Sequence, residues 1–172
     1  MKRTSVSASY FRNFIFGVED SLVSTVGLLS GIAIANVPRE IIFLTGMVLI
    51  FVEAFSMAAG SFLSEYSAEE YASQARASMR KPLIASVVMF FSYFVSGFIP
   101  LFPYAIWETV SAFGISIGLT FIALFALGTL NAYLSGRSLL RRGLRMLVIG
   151  GFAIAIGIAA GRIAASFGIV AI

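Results

Sequence analysis

The sequence predicts an all-α integral membrane protein with five transmembrane helices, which form a single membrane domain over residues 1–172. Of the 172 residues, 59% are hydrophobic, and the mean hydropathy is +0.98. Only 12% are charged, against about 25% in soluble globular domains. Apolar stretches of about 20 residues or more, the length that crosses a bilayer, recur between short polar breaks. The chain therefore has room for these spans and short connections, but not for a sizeable soluble domain.

The predicted spans are separated by residues that begin or end helices. Residues 36–38 end the first span at a proline, Pro82 begins the third, and residues 136–143 separate the last two. Pro100 and Pro103 are expected to end the third span, because proline cannot donate the backbone hydrogen bond that continues a helix. The predicted spans cover residues 13–35, 40–64, 82–101, 109–134 and 144–169.

Basic residues concentrate at alternate connections, and this predicts the orientation of the chain. One side of the membrane would carry Lys2, Arg3, Arg12, Arg76, Arg80, Lys81, Arg137, Arg141, Arg142 and Arg145. The other side has only Arg39, while Arg162 falls within the last span. Because lysine and arginine favour the cytoplasmic side, the N-terminus is expected in the cytoplasm and the C-terminus outside. The net charge of +4 is then explained without nucleic-acid binding.

The residue types that are absent limit the chemistry. The chain has no Cys and no His, which excludes thiolate metal sites, His-ligated zinc and a Ser-His triad. Its two lysines, Lys2 and Lys81, lie at a terminus and in a connection, where they do not form a Ser-Lys dyad inside the membrane. We therefore expect neither an enzyme nor a bound cofactor, and a function that rests on carboxylates, hydroxyls, amides and methionine sulfur.

Acidic residues inside the predicted spans are the strongest functional signal. Asp20, with Glu19 beside it, lies in the first span, and Glu53 lies in the second. A charge at the bilayer centre costs about 3 to 10 kcal/mol, so such acids are by default sites that bind an ion or carry a proton. Met57 and Ser61 follow Glu53 at four-residue intervals, near one helix face. Carboxylate, thioether and hydroxyl groups together suit a divalent metal such as Fe²⁺ or Mn²⁺.

Each of these residues also has a structural interpretation. Met57 alone is more often a gap-filling core side chain than a ligand. Glu19 lies in the cytoplasmic third of its span and is close enough to the interface to reach water or pair with Arg12. Glu53 can serve as a protonated hydrogen-bond donor between helices. Asp20 is the hardest to explain in this way, because its short side chain cannot reach the interface.

The connection after the second span predicts a helical extension with an acidic face. Residues 66–81 are compatible with an amphipathic helix, and Glu65, Glu69 and Glu70 stand at adjacent-turn spacing. The simplest interpretation is a solvated face. The functional alternative is a cytoplasmic mouth that concentrates cations, to which Glu19 would also belong.

Small residues recur at the spacing that lets helices approach closely in lipid. These pairs are Gly27 and Gly31, Gly114 and Gly118, and Gly157 and Gly161. Helix packing within one subunit is the favoured interpretation over a dimer face. A homodimer is nevertheless expected, because five helices enclose little shielded volume.

Three stretches of the chain resemble the vacuolar iron transporter family: GVEDSLVSTVGLLSGIA (Gly17–Ala33), EAFSMAAGSFLSEYS (Glu53–Ser67) and NAYLSGRSLLRRGLRMLVIG (Asn131–Gly150). The resemblance covers nearly the whole chain. It implies five spans with a cytoplasmic N-terminus, and a homodimeric transporter that exports Fe²⁺, and often Mn²⁺, from the cytosol in exchange for protons. In that family an Asp of the first span and a Met of the second line the path at the dimer interface, and they match Asp20 and Met57.

The chain departs from the family pattern at three places. Where the family often has Asn-Asp-Gly and Gly-Glu-Tyr, this chain has residues 19–21 (Glu-Asp-Ser) and 60–62 (Gly-Ser-Phe). An acid is thus absent at Ser61, and Glu65 follows one turn later. Residues 66–81 are too few for the cytoplasmic helical domain with which some members gather iron, so the chain resembles the short branch that lacks it.

The sequence hypothesis is therefore a metal/proton antiporter of the cell (inner) membrane. Its substrate is Fe²⁺ or Mn²⁺, held by Asp20, Met57 and Glu53 at a dimer interface. Two alternatives stay open at this point. The carboxylates of a transporter can serve protons or another cation alone, or the protein is a non-transporting assembly module in which Asp20 and Glu53 are structural.

Overall fold

The computed structural model describes residues 2–35, 37–73 and 78–167, with side chains from residue 8 onward. Five α-helices and no strand occur within these residues. The helices are α1 (Lys2–Ile34), α2 (Arg39–Ser73), α3 (Arg80–Ile106), α4 (Thr109–Leu134) and α5 (Leu139–Ser166). Asn36 and Arg76, and residues 168–169 at the end of the fifth predicted span, lie outside the described residues.

All five helices are long and apolar enough to cross a membrane. The shortest has 26 residues and the longest 35, so at about 1.5 Å per residue each exceeds the roughly 30 Å of a hydrocarbon core. The all-α prediction is confirmed for the described part of the chain, and the protein is a multi-pass membrane protein. The helical extension after the second span is confirmed as far as Ser73, where α2 ends.

Two helices have boundaries that differ from those predicted. Pro100 and Pro103 lie inside α3, which continues to Ile106, so the expectation that they end the helix is wrong. Membrane helices tolerate internal proline where neighbouring groups satisfy the backbone. Ser116 of α4 donates a hydrogen bond of 2.7 Å to the Pro100 carbonyl, which ties α4 to this part of α3. At the other difference, α5 begins at Leu139, so Gly143 belongs to the helix rather than to the connection.

Helix α1 is the central element of the bundle. It packs against α3 on one side and α5 on the other, with further contacts to α4 and fewer to α2. Of its most apolar window, 56% is buried, against 22% for α2. Helix α2 packs chiefly on α3 and leaves Phe51 and Phe55 exposed. The chain thus encloses α1 but leaves one side of α2 open to lipid or to another protein.

Backbone contact between glycines holds α1 against α5. A Cβ added to Gly157 would overlap the carbonyl oxygen of Gly27, and one added to Gly161 would overlap that of Gly31. These four residues are the α1–α5 glycine seam. The prediction that such pairs pack helices within one subunit is confirmed for these two. Around Gly114 and Gly118, within the described residues, a Cβ would meet no heavy atom within 4 Å.

Two apolar clusters fill the bundle at different levels of α1. One contains Ile15 and Leu22 of α1 together with Leu124, Leu127 and Met146. The other contains Leu29, Ile42, Ile50, Leu101, Tyr104 and Ala112. Ser24 and Thr25 lie between Leu22 and Leu29 along α1, at the level where polar groups interrupt the core. The acidic residues of α1 and α2 lie close to this interruption.

Candidate functional site

Polar contacts set the antiparallel register of α1 and α2. Ser61 donates a buried hydrogen bond of 3.1 Å to the Asn13 side-chain oxygen. One turn further along α2, the Glu65 carboxylate accepts a hydrogen bond from Ser9 and pairs with Arg12 at 2.5 Å. Residue numbers therefore rise along α1 as they fall along α2. Ser61, where the family resemblance implies an acid, instead joins the two helices.

The same register brings Asp20 and Glu53 together. Both side chains are half-buried, and they are close enough to interact electrostatically across the two helices. Glu19 adds a third carboxylate that interacts with Asp20 from the neighbouring position of α1. Because like charges in apolar surroundings repel strongly, a proton or a cation between the carboxylates lowers the energy of the pair. The two intramembrane acids thus lie near each other across the α1–α2 pair.

Met57 lies on the α2 face between Glu53 and Ser61, and it is half-buried. Opposite it, the register places the turn of α1 that precedes Asp20. Gly17 lies in that turn, and the Met89 sulfur of α3 is packed closely enough that a Cβ on Gly17 would come within 3.1 Å of it. Thioether groups are thus present on two helices near the level of the carboxylates. Met89 is 2% exposed, which also fits an ordinary core side chain.

Tyr93 of α3 is a site residue that the sequence reasoning missed. Its side chain is fully buried, and its hydroxyl shares a hydrogen bond of 2.8 Å with Ser24. The phenol also interacts electrostatically with both Asp20 and Glu53. Its backbone carbonyl accepts a hydrogen bond of 2.6 Å from Ser21. A tyrosine within an apolar span, whose hydroxyl must find a partner when buried, was the available signal.

The hydroxyl groups of α1 thus serve mainly to join helices. Ser21 and Ser24 are both engaged by Tyr93. The Thr25 hydroxyl is buried and has no hydrogen-bond partner in the part of the chain that the structure describes. Of the three, Thr25 alone retains its full hydrogen-bonding capacity toward a proton, a water or an ion.

The acids at the end of α2 lie next to basic partners. Glu65 pairs with Arg12, and Glu69 pairs with Lys81 of α3 at 2.5 Å. Glu70 is exposed and interacts with the Tyr66 side chain one turn earlier. Of the four acids expected at a cytoplasmic mouth, Glu65 and Glu69 are therefore largely neutralised. Glu70 contributes most of the remaining negative charge at this end.

One of the two interactions expected for Glu19 is not found. The pairing of Glu19 with Arg12 that the sequence allowed is wrong, because Arg12 reaches across to Glu65 on α2 instead. Glu19 interacts with Asp20. Its place at the cytoplasmic mouth stays a prediction.

The described residues of one chain contain no complete metal site. Among residues 8–35, 37–73 and 78–167, no three Asp or Glu side chains lie together in an arrangement that could hold a metal ion. What one chain offers is the pair of Asp20 and Glu53, with the Met57 thioether on the same face of α2. A divalent metal usually takes four or more ligands. The rest would come from water, hydroxyls, backbone oxygens or a second copy.

The surface beside this site is unusually small and polar for a helix in lipid. Ser56, Gly60 and Ser64 follow one another at four-residue intervals on α2, and all three are exposed. No heavy atom among the described residues lies within 4 Å of a Cβ position at Gly60. Small residues at this spacing allow another helix to approach closely.

Comparisons with known proteins agree on one family. The VIT family model matches residues 11–85 and 69–162. The chain is similar to vacuolar iron transporter homolog 4 from Arabidopsis thaliana, with 28% identity over 96% of this chain and 89% of the relative. Homolog 3 from the same plant is 29% identical over 88% of this chain and 82% of the relative. Homolog 1 from Oryza sativa subsp. japonica is 27% identical over 87% and 71%. The family match spans most of the sequence, and the chain belongs to the VIT family.

Proposed function

We propose that this protein is a divalent transition-metal transporter that exports Fe²⁺ or Mn²⁺ from the cytosol by proton antiport through a homodimer interface. The observation that carries the proposal is the pairing of Asp20 and Glu53 within membrane-spanning helices of a VIT family chain. Intramembrane acids are costly to maintain unless they bind or move an ion. The relatives are named for iron transport, which favours a metal as the substrate.

The ligand types favour a first-row divalent metal. Carboxylates attract any divalent cation, but Mg²⁺ and Ca²⁺ gain little from sulfur. The thioether of Met57, one turn from Glu53, adds a softer ligand that suits Fe²⁺ and Mn²⁺ better. We assign Asp20 and Glu53 as the charged ligands and Met57 as the selective one.

Proton coupling follows from the same groups. A bound divalent cation offsets the repulsion between Asp20 and Glu53, and so do protons when the metal leaves. Metal and protons therefore compete for one site, which is the requirement for exchange. Tyr93 is buried beside both acids and can relay or orient a proton through its hydrogen bond to Ser24.

A second copy of the chain would complete the site. Asp20, Glu53 and Met57 are each partly exposed, which leaves them accessible to a partner chain. The exposed stripe of Ser56, Gly60 and Ser64 beside them lets a partner helix approach closely. Two copies related by a two-fold axis would bring two sets of carboxylates and thioethers to one path. The isologous geometry is the commonest arrangement of homodimers.

The proposed orientation places the end that carries Glu65, Glu69 and Glu70 in the cytoplasm, since basic residues concentrate at the same end. Because Glu65 and Glu69 are paired, Glu70 is the principal acid that attracts metal there. We propose the cell (inner) membrane as the location. The relatives compared above are named as vacuolar proteins.

Uptake of Fe²⁺ and Mn²⁺ into proteoliposomes under an imposed pH gradient tests the proposal. Removing a residue that hydrogen-bonds a metal ligand typically lowers metal affinity or activity by about 10- to 100-fold. Removing the ligand itself should lower transport by at least as much. Asp20→Asn should therefore lower proton-driven flux by about 10-fold or more, and Met57→Ala should lower it with a change in metal preference. Glu40→Gln is the matched control, because Glu40 is an exposed acid at the opposite end of α2.

The alternatives predict different results from the same samples. Proton flux without metal flux would identify a proton or other cation carrier and refute the metal assignment. If the folded wild-type protein carried no ion at all, the result would refute the transporter proposal and favour a non-transporting structural module. Metal-dependent thermal stabilisation that Asp20→Asn abolishes would support the metal site independently of flux, because a ligand of the folded state stabilises it.

A further inference from the structure

A basic pocket lies at the turn between α4 and α5, far from the acidic site. Its volume is about 340 Å³, and it is lined by Arg137, Ser138, Arg141, Arg142 and Arg145. No acidic side chain from the part of the chain that the structure describes lines it. Within the described residues none of the four arginines has a carboxylate partner, since the ion pairs there are Arg12–Glu65, Arg39–Glu40 and Lys81–Glu69.

The backbone holds this pocket in place. Helix α4 ends in a turn in which Gly136 has a φ of +61°, and the Arg137 amide donates a hydrogen bond of 2.9 Å to the Ala132 carbonyl. This closing pattern is the Schellman motif of helix C-termini, which needs glycine at that position. Arg142 donates a hydrogen bond of 2.9 Å to the Asn131 side-chain oxygen. Arg137 in the turn and the three arginines of α5 are therefore held close to the end of α4, because both the turn and Arg142 are hydrogen-bonded to it.

Close packing of α4 on α5 rigidifies the pocket further. A Cβ added to Gly128 would come within 2.8 Å of the Arg142 carbonyl oxygen and 2.9 Å of the Gly143 Cα. Both contacts are with backbone atoms. The backbones of the two helices therefore approach closely at Gly128, at the level of Arg142.

The electrostatics of the pocket favour an anion that carries several oxygens. Four cations within a few turns repel one another, and an anion between them removes that repulsion. Guanidinium groups match phosphate with two parallel hydrogen bonds. The pocket also lies at the N-terminus of α5, a 28-residue helix in which the Ser138 side chain makes no capping hydrogen bond. The helix dipole therefore adds to the attraction.

The order of groups along α5 matches the order of groups in a membrane lipid. Arg145 lies six residues after the start of α5, or about 9 Å along the helix. Beyond it the same face continues with Val148, Ile149 and Phe152, which are 57%, 40% and 67% exposed. One face of α5 thus presents cations first and then an exposed apolar surface. A lipid has this same order of groups, with its phosphate above its acyl chains. Free phosphate, in contrast, would make no contact with the apolar surface.

We propose that this pocket binds the phosphate of an anionic membrane lipid, with the acyl chains lying against Val148, Ile149 and Phe152. Basic pockets between membrane helices are known to bind such headgroups. The site is separate from the acidic pair, so this proposal does not depend on metal transport. Its occupancy would fix the α4–α5 turn at the membrane surface.

The test uses the full chain in neutral detergent, titrated with short-chain phosphatidylglycerol, phosphatidylcholine, glycerol phosphate and inorganic phosphate. Binding is measured as thermal stabilisation followed by Trp107 fluorescence. Each arginine near a lipid surface contributes a factor of about 5, so Arg141→Gln with Arg145→Gln should weaken phosphatidylglycerol binding by about 30-fold. Arg162→Gln is the matched control, because it removes the same charge from the other end of α5.

The outcomes separate the sources of the phosphate. Phosphatidylglycerol binding that exceeds phosphatidylcholine binding and falls in the double variant supports the proposal. Inorganic phosphate or glycerol phosphate binding as well as the lipid would overturn the lipid assignment. Equal binding of both lipids, or an unchanged double variant, would overturn the site. A variant with Arg141→Lys and Arg145→Lys keeps the charge that orients the chain, and should bind more weakly than wild type because lysine lacks the guanidinium fork.

Discussion

Replacing Gly157 by alanine tests the α1–α5 glycine seam, which positions the helix that carries Asp20. A Cβ on Gly157 would overlap the Gly27 carbonyl oxygen and lie 2.7 Å from the Gly27 carbonyl carbon. Ordinary carbon–carbon contact is about 3.5–4.0 Å, so the helices would have to separate by about 1 Å. The obstructing atoms belong to the backbone of a buried helix and cannot rotate away.

The expected loss of stability follows from two opposing terms. Overpacking an interior costs about 1–3 kcal/mol, and a rigid backbone neighbour places this case at the upper end. Alanine regains up to about 1 kcal/mol of helix propensity over glycine. The net loss in the free energy of unfolding is then about 1–2 kcal/mol. For a chain of this size that lowers Tm by roughly 3–6 °C.

Thermal unfolding in detergent, followed by circular dichroism, measures this difference. Gly151→Ala is the control, because it makes the same change on the same helix where no described heavy atom lies within 4 Å of the added Cβ. Gly151→Ala should be neutral or slightly stabilising. Equal stability of the two variants would refute the close backbone contact between α1 and α5.

Further predictions concern buried polar side chains. Tyr93→Phe should lower the free energy of unfolding by about 1 kcal/mol, because it leaves Ser24 without its 2.8 Å partner. Tyr104→Phe should be neutral or stabilising, since the buried Tyr104 hydroxyl has no hydrogen-bond partner within the described residues. Thermal unfolding in detergent compares the two tyrosine variants. Equal losses of stability would contradict the expected difference between them. Asn13→Ala and Ser61→Ala should be coupled by about 0.5–1.5 kcal/mol in a double-mutant cycle, because their side chains share a hydrogen bond. Strictly additive losses would argue against that bond.

Some features of the site could be predicted because they depend on residue type and spacing alone. Asp20 and Glu53 stand out in apolar stretches without any knowledge of the fold, and an antiparallel pair of adjacent helices is a strong expectation for two short-connected spans. Their meeting in the structure follows from these two facts. The glycine pairs could be recognised in the same way, but not which helix each would meet.

Other features depended on which helix faces pack together. Arg12 had acids within reach on its own helix and on α2, and the register selected Glu65 over Glu19. Tyr93 becomes part of the site because α3, rather than α4 or α5, lies against α1 and α2 at this level. Gly114 and Gly118 have the same spacing as the other glycine pairs, yet they meet nothing among the described residues.

Hydrophobic length and the cost of intramembrane charge are local properties, so the order of residues was enough to predict five long apolar helices with acids inside two of them. Which polar groups meet depends on how the helices pack: Ser61 with Asn13, Tyr93 with Ser24, and the arginines of the α4–α5 turn with one another. An apolar helix face contacts lipid about as favourably as it contacts another helix. The spacing of residues along one helix therefore does not specify which helix packs against it. Close backbone contact and individual hydrogen bonds make that choice.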